Sequence, residues 1–72
     1  MKTNYMERVT YQGREGRKAT VVRTSGLEDN SFGCKFYIGD DYLGIEWYED
    51  KTELYAENAA ENFIKGIKEY TQ

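Results

Sequence analysis

The feature that most constrains the fold is a change of hydrophobic period in the last third of the chain, from Trp47 to Tyr70. Up to Trp47, apolar and polar residues alternate as they do in a β-strand; after the acidic turn at 49–51, apolar residues recur at the three- and four-residue spacing of a helix. The apolar positions of this segment are Ala56, Ala59, Ala60, Phe63, Ile64, Ile67 and Tyr70. A helix with one apolar face needs a flat apolar surface to cover, and a β-sheet supplies one.

Four segments before the helix have the composition of strands. Residues 5–12, 32–38 and 42–48 alternate, and residues 17–24 are rich in β-branched side chains. Short connections with the composition of turns separate them at 13–16 and 39–41, and a longer one lies at 25–31. We therefore predict a single α+β domain over residues 1–72: a four-stranded antiparallel meander with one C-terminal α-helix packed on one face (ββββα).

The alternation also predicts which side chains lie under the helix. The expected core of the sheet consists of Val9, Ala19, Val21, Phe32, Cys34, Phe36, Ile38, Leu43, Ile45 and Trp47. The opposite face is then expected to present Lys35, Tyr37, Tyr42, Glu46 and Tyr48. Asp50 or Thr52 is the expected N-cap of the helix, and Asp50 has capping-box spacing to Glu53.

The small size and the lack of histidine limit what can stabilise the chain. A domain of 72 residues has a thin core. Its single cysteine cannot form an internal disulfide, and one thiol without histidine makes no ordinary transition-metal site. We expect no metal and no cofactor. Association with a copy of itself, as a homodimer, or with a partner protein is the expected supplement.

No segment predicts export or membrane insertion. The chain has no apolar run of the roughly 18 residues that a membrane span requires. Residues 1–4 lead into no apolar stretch of the kind found in signal peptides. A reduced, cytoplasmic location is the expectation, and a membrane partner is not expected.

The sequence does not favour an enzyme. Without histidine the usual general base near neutral pH is missing. Cys34 alternates with Phe32 and Phe36, so a buried thiol is far more plausible than a nucleophile. The acidic pairs at 40–41 and 49–50 fall in predicted turns, where carboxylates usually serve turn geometry and capping. We predict no catalytic residues.

The face away from the helix is the first candidate for binding. Tyr37, Tyr42 and Tyr48 are expected there, close together across the hairpin of the third and fourth strands, with Glu46 beside them. Tyrosine is enriched in protein interfaces because it has a large apolar body and a polar tip. Cross-strand tyrosine pairs also stabilise a sheet face without any partner, and the sequence supports both interpretations equally.

A basic first hairpin is the second candidate. Residues 1–25 carry a net charge of +4 and residues 26–72 a net charge of −7. Arg14, Arg17, Lys18 and Arg23 belong to the basic part and could contact nucleic-acid phosphates or an acidic protein partner. A solvated hairpin tip is the plainer interpretation.

The acidic part of the chain could instead bind a basic partner. Acidic side chains line the fourth strand and the outer helix: Glu46, Glu49, Asp50, Glu53, Glu57 and Glu61. Such a surface can compete for a basic groove on a nucleic-acid enzyme, and it is also what an ordinary soluble surface looks like.

In general design the chain resembles small accessory proteins of bacteriophages and prophages. The resemblance rests on a short acidic chain without proline or histidine, a small antiparallel sheet, and the run from Tyr48 to Phe63 (YEDKTELYAENAAENF). It implies a protein that works by binding a host or viral macromolecule, often as an inhibitor. It transfers no functional residue to this chain.

Overall fold

The computed structural model of the chain describes residues 5–24 and 31–70. They form the strands β1 (Tyr5–Gln12), β2 (Arg17–Thr24), β3 (Phe32–Ile38) and β4 (Asp41–Tyr48), and the helix α1 (Glu53–Ile64). The strands pair antiparallel in the order β1-β2-β3-β4, and α1 packs on one face of the sheet. The predicted ββββα fold is confirmed. Of the predicted loop at 25–31, residues 25–30 lie outside the described part.

The core lies between α1 and the two central strands. Three alanines of α1 bring the helix backbone close to the sheet, and the Phe63 ring lies 4.7 Å from that of Phe36, centroid to centroid. The buried residues of this core are Ala19, Val21, Cys34, Phe36, Ala56, Ala59, Ala60 and Phe63. All of them were predicted to face one another, so the central strands and the first three turns of the helix follow their sequence pattern.

Both edge strands contain a β-bulge that reverses the side-chain alternation. In β1 the register shifts between Glu7 and Val9, and in β4 it shifts opposite the Phe36/Tyr37 step, where Leu43 is the extra residue. A bulge inserts one residue without a partner, so every side chain beyond it changes face. In either strand, simple alternation therefore predicts the wrong sheet face for the side chains beyond the bulge.

Because of the β4 bulge, two residues of the predicted core lie on the opposite side of the sheet. Beyond it, Ile45 lies opposite Lys35 and Trp47 opposite Gly33, which places both on the side of the sheet away from α1, here termed the reverse face. Glu46 and Tyr48 lie opposite Cys34 and Phe32, on the helix side. The prediction that Ile45 and Trp47 lie beneath the helix is wrong.

Two further predicted core residues lie near the sheet margins. Val9 is 37% exposed and Ile38 is 38% exposed. Val9 belongs to an edge strand, and Ile38 is the last residue of β3, so neither is fully covered by the single helix.

Helix α1 begins at Thr52 and ends earlier than the apolar pattern predicted. Thr52 is the N-cap, and its side chain accepts a hydrogen bond from the Tyr55 N–H. After the C-cap Lys65, Gly66 has φ +82°, its N–H bonds to the Phe63 carbonyl, and the Ile67 N–H bonds to the Asn62 carbonyl. This pair of bonds is a Schellman motif, which ends a helix.

The residues after Gly66 leave the helical path. Ile67, predicted to be on the buried face, is 72% exposed. Tyr70 instead returns to the sheet, where its ring lies 5.6 Å from that of Phe36 and contacts Gly44. The missing side chain of Gly44 is what leaves room for the ring.

Candidate binding surface

Four aromatic rings lie along the reverse face of the sheet in two pairs. Tyr37 and Tyr42 have ring centroids 5.3 Å apart, and Tyr5 and Trp47 have ring centroids 5.9 Å apart in an edge-to-face arrangement. The Lys35 ammonium lies between the pairs, 5.3 Å from the Tyr5 ring and 5.8 Å from the Tyr37 ring. We refer to Tyr5, Tyr37, Tyr42 and Trp47 as the aromatic layer.

An ion pair lies in the middle of this face. Lys35 Nζ is 2.8 Å from Glu7 Oε2, and only 13% of the Lys35 side chain is exposed. The hydrogen bond to Glu7 raises the pKa of Lys35 against the opposing effect of burial, so the ammonium stays charged. The pair neutralises its own charge and leaves the centre of the face without net charge.

The centre of the reverse face is already covered by its own side chains. Val22 lies between Glu7 and Gly33 in the ladder and is fully buried, although no helix lies on this side. Thr20 and Thr24, in the same alternation, are buried as well. Tyr5 and Trp47 come from opposite edges of the sheet, and their rings meet over this region. The accessible part of the face is therefore at its other end.

The accessible end is formed by Tyr42 and its partner Tyr37. Tyr42 is 54% exposed, and Tyr37 is half-buried beneath the Lys18 ammonium, 4.4 Å from its ring. Partial burial raises the pKa of Tyr42, which keeps its hydroxyl protonated and able to donate a hydrogen bond. An exposed ring that packs on a second ring, with a cation beside it, can contact either a protein surface or a nucleic-acid base.

The predicted surface of Tyr37, Tyr42, Glu46 and Tyr48 is divided between the two faces. Tyr37 and Tyr42 lie on the reverse face, as predicted. The placement of Glu46 and Tyr48 there is wrong, because the bulge at Leu43 turns both toward α1. The Tyr48 ring packs edge-on against Tyr55 of the helix, 5.1 Å between centroids.

Glu46 and Tyr48 form a polar group at the margin of the core. The Tyr48 hydroxyl donates to Glu46 Oε1 at 2.8 Å, and Lys68 Nζ lies 3.0 Å from the same oxygen. Burial first, and then the bond to Glu46, raises the pKa of Tyr48. The Tyr48 hydroxyl and the Glu46 carboxylate thus satisfy each other's hydrogen-bonding needs. The ion pair of Glu46 with Lys68 attaches the segment after α1 to β4.

The four basic residues predicted to contact nucleic acid do not form one surface. Arg14 is exposed in the single 3₁₀ turn that joins β1 to β2. Lys18 is on the reverse face opposite Tyr37, whereas Arg23 is on the helix side opposite Phe32. Arg17 is buried: it donates to the Phe63 and Lys68 carbonyls at 3.1 and 3.2 Å.

Arg17 therefore serves the fold. Its Nη2 is 2.8 Å from Glu69 Oε2, and its guanidinium lies 4.9 Å from the centroid of the Phe63 ring. A cation at the C-terminal end of a helix also interacts favourably with the helix dipole. The prediction that Arg17 is available to a nucleic acid is wrong.

The Cys34 thiol is buried, as predicted. Its Sγ donates to the Ala56 carbonyl at 3.0 Å. Burial, with a smaller contribution from the Glu46 carboxylate, raises the pKa of the thiol to about 12. A protonated, inaccessible thiol is a poor nucleophile.

Sequence reasoning missed Tyr5, Trp47 and Glu7 as members of the reverse face. A signal was present in Gly33, which lies among the non-core positions of β3 and leaves room there for a large side chain on the neighbouring strand. The Trp47 ring occupies that space. Within residues 5–24 and 31–70, no three Asp, Glu or Cys side chains converge closely enough to hold a metal ion.

Comparison of the chain with protein-family models, with curated proteins and with solved structures finds no match. Among the described residues, no helix is long and apolar enough to cross a membrane. The interpretation of function therefore rests on the geometry of the chain itself.

Proposed function

We propose that this chain is a non-enzymatic binding protein that acts on another macromolecule through the Tyr37–Tyr42 end of the reverse face. One observation carries the proposal: Tyr42 is more than half exposed beside a second ring, on the sheet face that α1 leaves uncovered. Tyrosines of this kind supply much of the binding energy in protein interfaces, because they bury a large area at a low cost in side-chain entropy.

A binding role fits the remaining chemistry better than catalysis does. The one thiol is buried and protonated, and the Tyr48 hydroxyl, whose pKa is raised by burial, donates to Glu46 inside the structure. The resemblance to bacteriophage and prophage accessory proteins supports a host or viral macromolecule, met in the host cytoplasm, as the partner. Inhibition or modulation of that partner is the proposed consequence, and a second copy of the chain is a competing occupant of the same face.

The chain supplies a well-matched control for the test. Tyr55 is 48% exposed and packs against Tyr48 on the helix side, much as Tyr42 is exposed and packs against Tyr37. Immobilised wild-type protein, Tyr42→Ala and Tyr55→Ala are compared first in capturing partners from bacterial lysate. The affinity of each identified partner is then measured with the three purified proteins.

We expect Tyr42→Ala to weaken binding at least about tenfold, as the loss of a central tyrosine does, and Tyr55→Ala to leave it nearly unchanged. The opposite ranking would overturn the proposal, because it would place the interface on the helix side. A shift from monomer to dimer that Tyr42→Ala abolishes would instead identify a second copy as the occupant.

A nucleic-acid-binding role is the second candidate, and one contact favours it. Lys18 over the Tyr37 ring places a cation beside the exposed Tyr42, a combination used to bind single strands by stacking and by phosphate contacts. Binding to single-stranded DNA and RNA is measured against salt concentration. Affinity that falls steeply with salt, and falls further in Arg14→Ala and Lys18→Ala, supports this role; no binding at low salt eliminates it.

A further inference from the structure

On its own side of the sheet, helix α1 covers the edge strand β1 only in part. The helix packs chiefly on β2 and β3, so the helix side of the edge strand β1 remains accessible. Met6 is 49% exposed and Val9 is 37% exposed there. These residues form the floor of a groove of about 290 Å³, and the side of α1 forms its wall; we term it the β1–α1 groove.

The wall of the groove is acidic. Glu53, Glu57 and Glu61 are spaced four residues apart, so they project from one side of α1. Glu53 is paired with Arg8 at 3.0 Å. In the part of the chain that the structure describes, no cation is within ion-pair distance of Glu57 or Glu61. Glu53 and Glu57 line the groove together with Tyr11, and Glu61 follows one turn further along α1. Burial, and after it the charges of Glu57 and Glu61, raises the pKa of Tyr11.

From the exposed apolar floor, the acidic wall and the strand edge that no described segment pairs, we infer that the β1–α1 groove binds an extended basic segment of a partner protein. Its apolar side chains cover Met6 and Val9, and its lysine or arginine side chains meet Glu57 and Glu61. This surface is separate from the Tyr37–Tyr42 end of the reverse face, so the inference goes beyond the proposed function and stands without it.

The edge of β1 favours an extended segment over a helix, because only an extended segment can add its backbone hydrogen bonds to a sheet. As an edge strand, β1 also has backbone N–H and C=O groups that point away from β2 and can pair with an added strand. The bulge at Arg8 limits regular pairing to Val9 through Gln12, about half of the strand.

Charge selects the partner over a second copy of this chain. The β1 strand contains one cation, Arg8, which is already bound to Glu53, together with the acid Glu7. A second β1 strand would therefore bring no free cation to Glu57 and Glu61. A strand whose every second residue faces α1, and whose α1-facing positions include both valine or leucine and lysine or arginine, supplies what the groove lacks.

The test uses the whole chain and an acetylated, amidated peptide of about seven residues, Val-Thr-Lys-Thr-Lys-Thr-Val, in which valine and lysine share one face of the strand and threonine the other. A peptide with glutamate in place of lysine is the matched control. Binding is followed by NMR chemical shifts of the protein backbone at low and at high salt. We expect the lysine peptide to shift the amides from Val9 to Gln12 and of α1 near Glu57, and to protect β1 amides from hydrogen exchange. The glutamate peptide is expected not to bind.

Variants locate the interaction. Glu57→Gln combined with Glu61→Gln is expected to weaken the lysine peptide about fivefold, because two partly exposed ion pairs are lost. Asp40→Asn combined with Asp41→Asn changes the net charge equally at a distant turn and is expected to leave the affinity within about twofold. Tyr42→Ala is expected to have no effect.

Several results would overturn the inference. They are absence of peptide binding at low salt, equal binding of both peptides, equal weakening by the two charge variants, or shifts confined to the reverse face. Self-association of the protein with shifts in β1 would assign the groove to a second copy instead.

Discussion

The ring of Trp47 lies directly over Gly33 on the reverse face. A side chain at Gly33 would place its Cβ 2.8 Å from Trp47 Cε3 and 2.5 Å from the Glu46 carbonyl oxygen. Gly33 is therefore the cross-strand partner that leaves room for the ring of the only tryptophan, which meets Tyr5 edge to face. The covered centre of the reverse face depends on this pair.

Gly33→Ala is expected to destabilise the protein by about 1–3 kcal/mol, because the backbone of β4 must shift to admit the methyl group. Urea unfolding followed by the fluorescence of Trp47 measures the change. Gly39→Ala is the control: nothing lies within 4 Å of its Cβ position, and its positive φ alone should cost about 1 kcal/mol. Equal stability of Gly33→Ala and wild type would show that Trp47 does not pack on Gly33.

Arg17→Met is expected to cost about 2–4 kcal/mol of unfolding free energy. The change removes the side-chain donor to the Phe63 and Lys68 carbonyls, leaves Glu69 without its ion-pair partner, and removes the cation over the Phe63 ring. Arg14→Met, at an exposed position of the turn that precedes β2, should stay within about 0.5 kcal/mol of wild type. Similar losses in both variants would contradict a structural role particular to Arg17.

The sequence predicted the elements well and the faces of the edge strands poorly, and the reason is physical. In β2 and β3 both neighbours hold the register, so alternation such as Cys34 and Phe36 describes the true faces. In β4 only one neighbour holds the strand, and one extra residue at Leu43 exchanges the faces of Glu46 and Trp47. No local sequence pattern marks Leu43 as the extra residue. The neighbouring Gly44, whose φ is +150°, is an indirect sign of the bulge.

The prediction of the binding surface contains the same error about the faces of β4. The strand spacing correctly predicted that Tyr37 and Tyr42 are neighbours, because both lie between the bulge and the turn that joins β3 to β4. It could not place Tyr48, which follows the bulge. Arg17 was misjudged for another reason: a basic residue beside a glycine-rich turn looks solvated, and only the arrival of the C-terminal end of α1 makes it a buried donor.

The N-terminus of α1 allows a choice between the two predicted caps. Thr52→Ala is expected to lower the unfolding free energy by about 1 kcal/mol, since the Tyr55 N–H loses its side-chain acceptor and keeps only the Thr52 carbonyl. Asp50 instead has φ +61°, so Asp50→Gly should keep or raise stability by up to about 1 kcal/mol. Urea unfolding with helical circular dichroism compares the two. Destabilisation by Asp50→Gly with no effect of Thr52→Ala would assign the cap to Asp50.

Alkaline pH should destabilise the protein through Cys34. The folded thiol holds its proton up to a pKa of about 12, whereas its ordinary value is 9.0. Above the lower value the unfolded chain loses this proton and the folded chain keeps it, so the unfolding free energy falls as pH rises between the two values. The slope for this group is about 1.4 kcal/mol per pH unit, and the contribution is fully present below the lower pKa. The raised pKa of Tyr48 acts in the same direction at higher pH.

Cys34→Ala isolates the thiol contribution. The variant is expected to be less stable at neutral pH, because it loses the bond to the Ala56 carbonyl and some packing, yet to lose less further stability as pH rises. Unfolding in urea at about pH 7.5, 9 and 10 gives both slopes, and Tyr48→Phe removes the tyrosine contribution. The same burial predicts that an aromatic disulfide reagent labels native Cys34 only as fast as the protein opens. Rapid labelling of the folded protein, or parallel pH slopes for wild type and Cys34→Ala, would mean that α1 does not seal the thiol against the sheet.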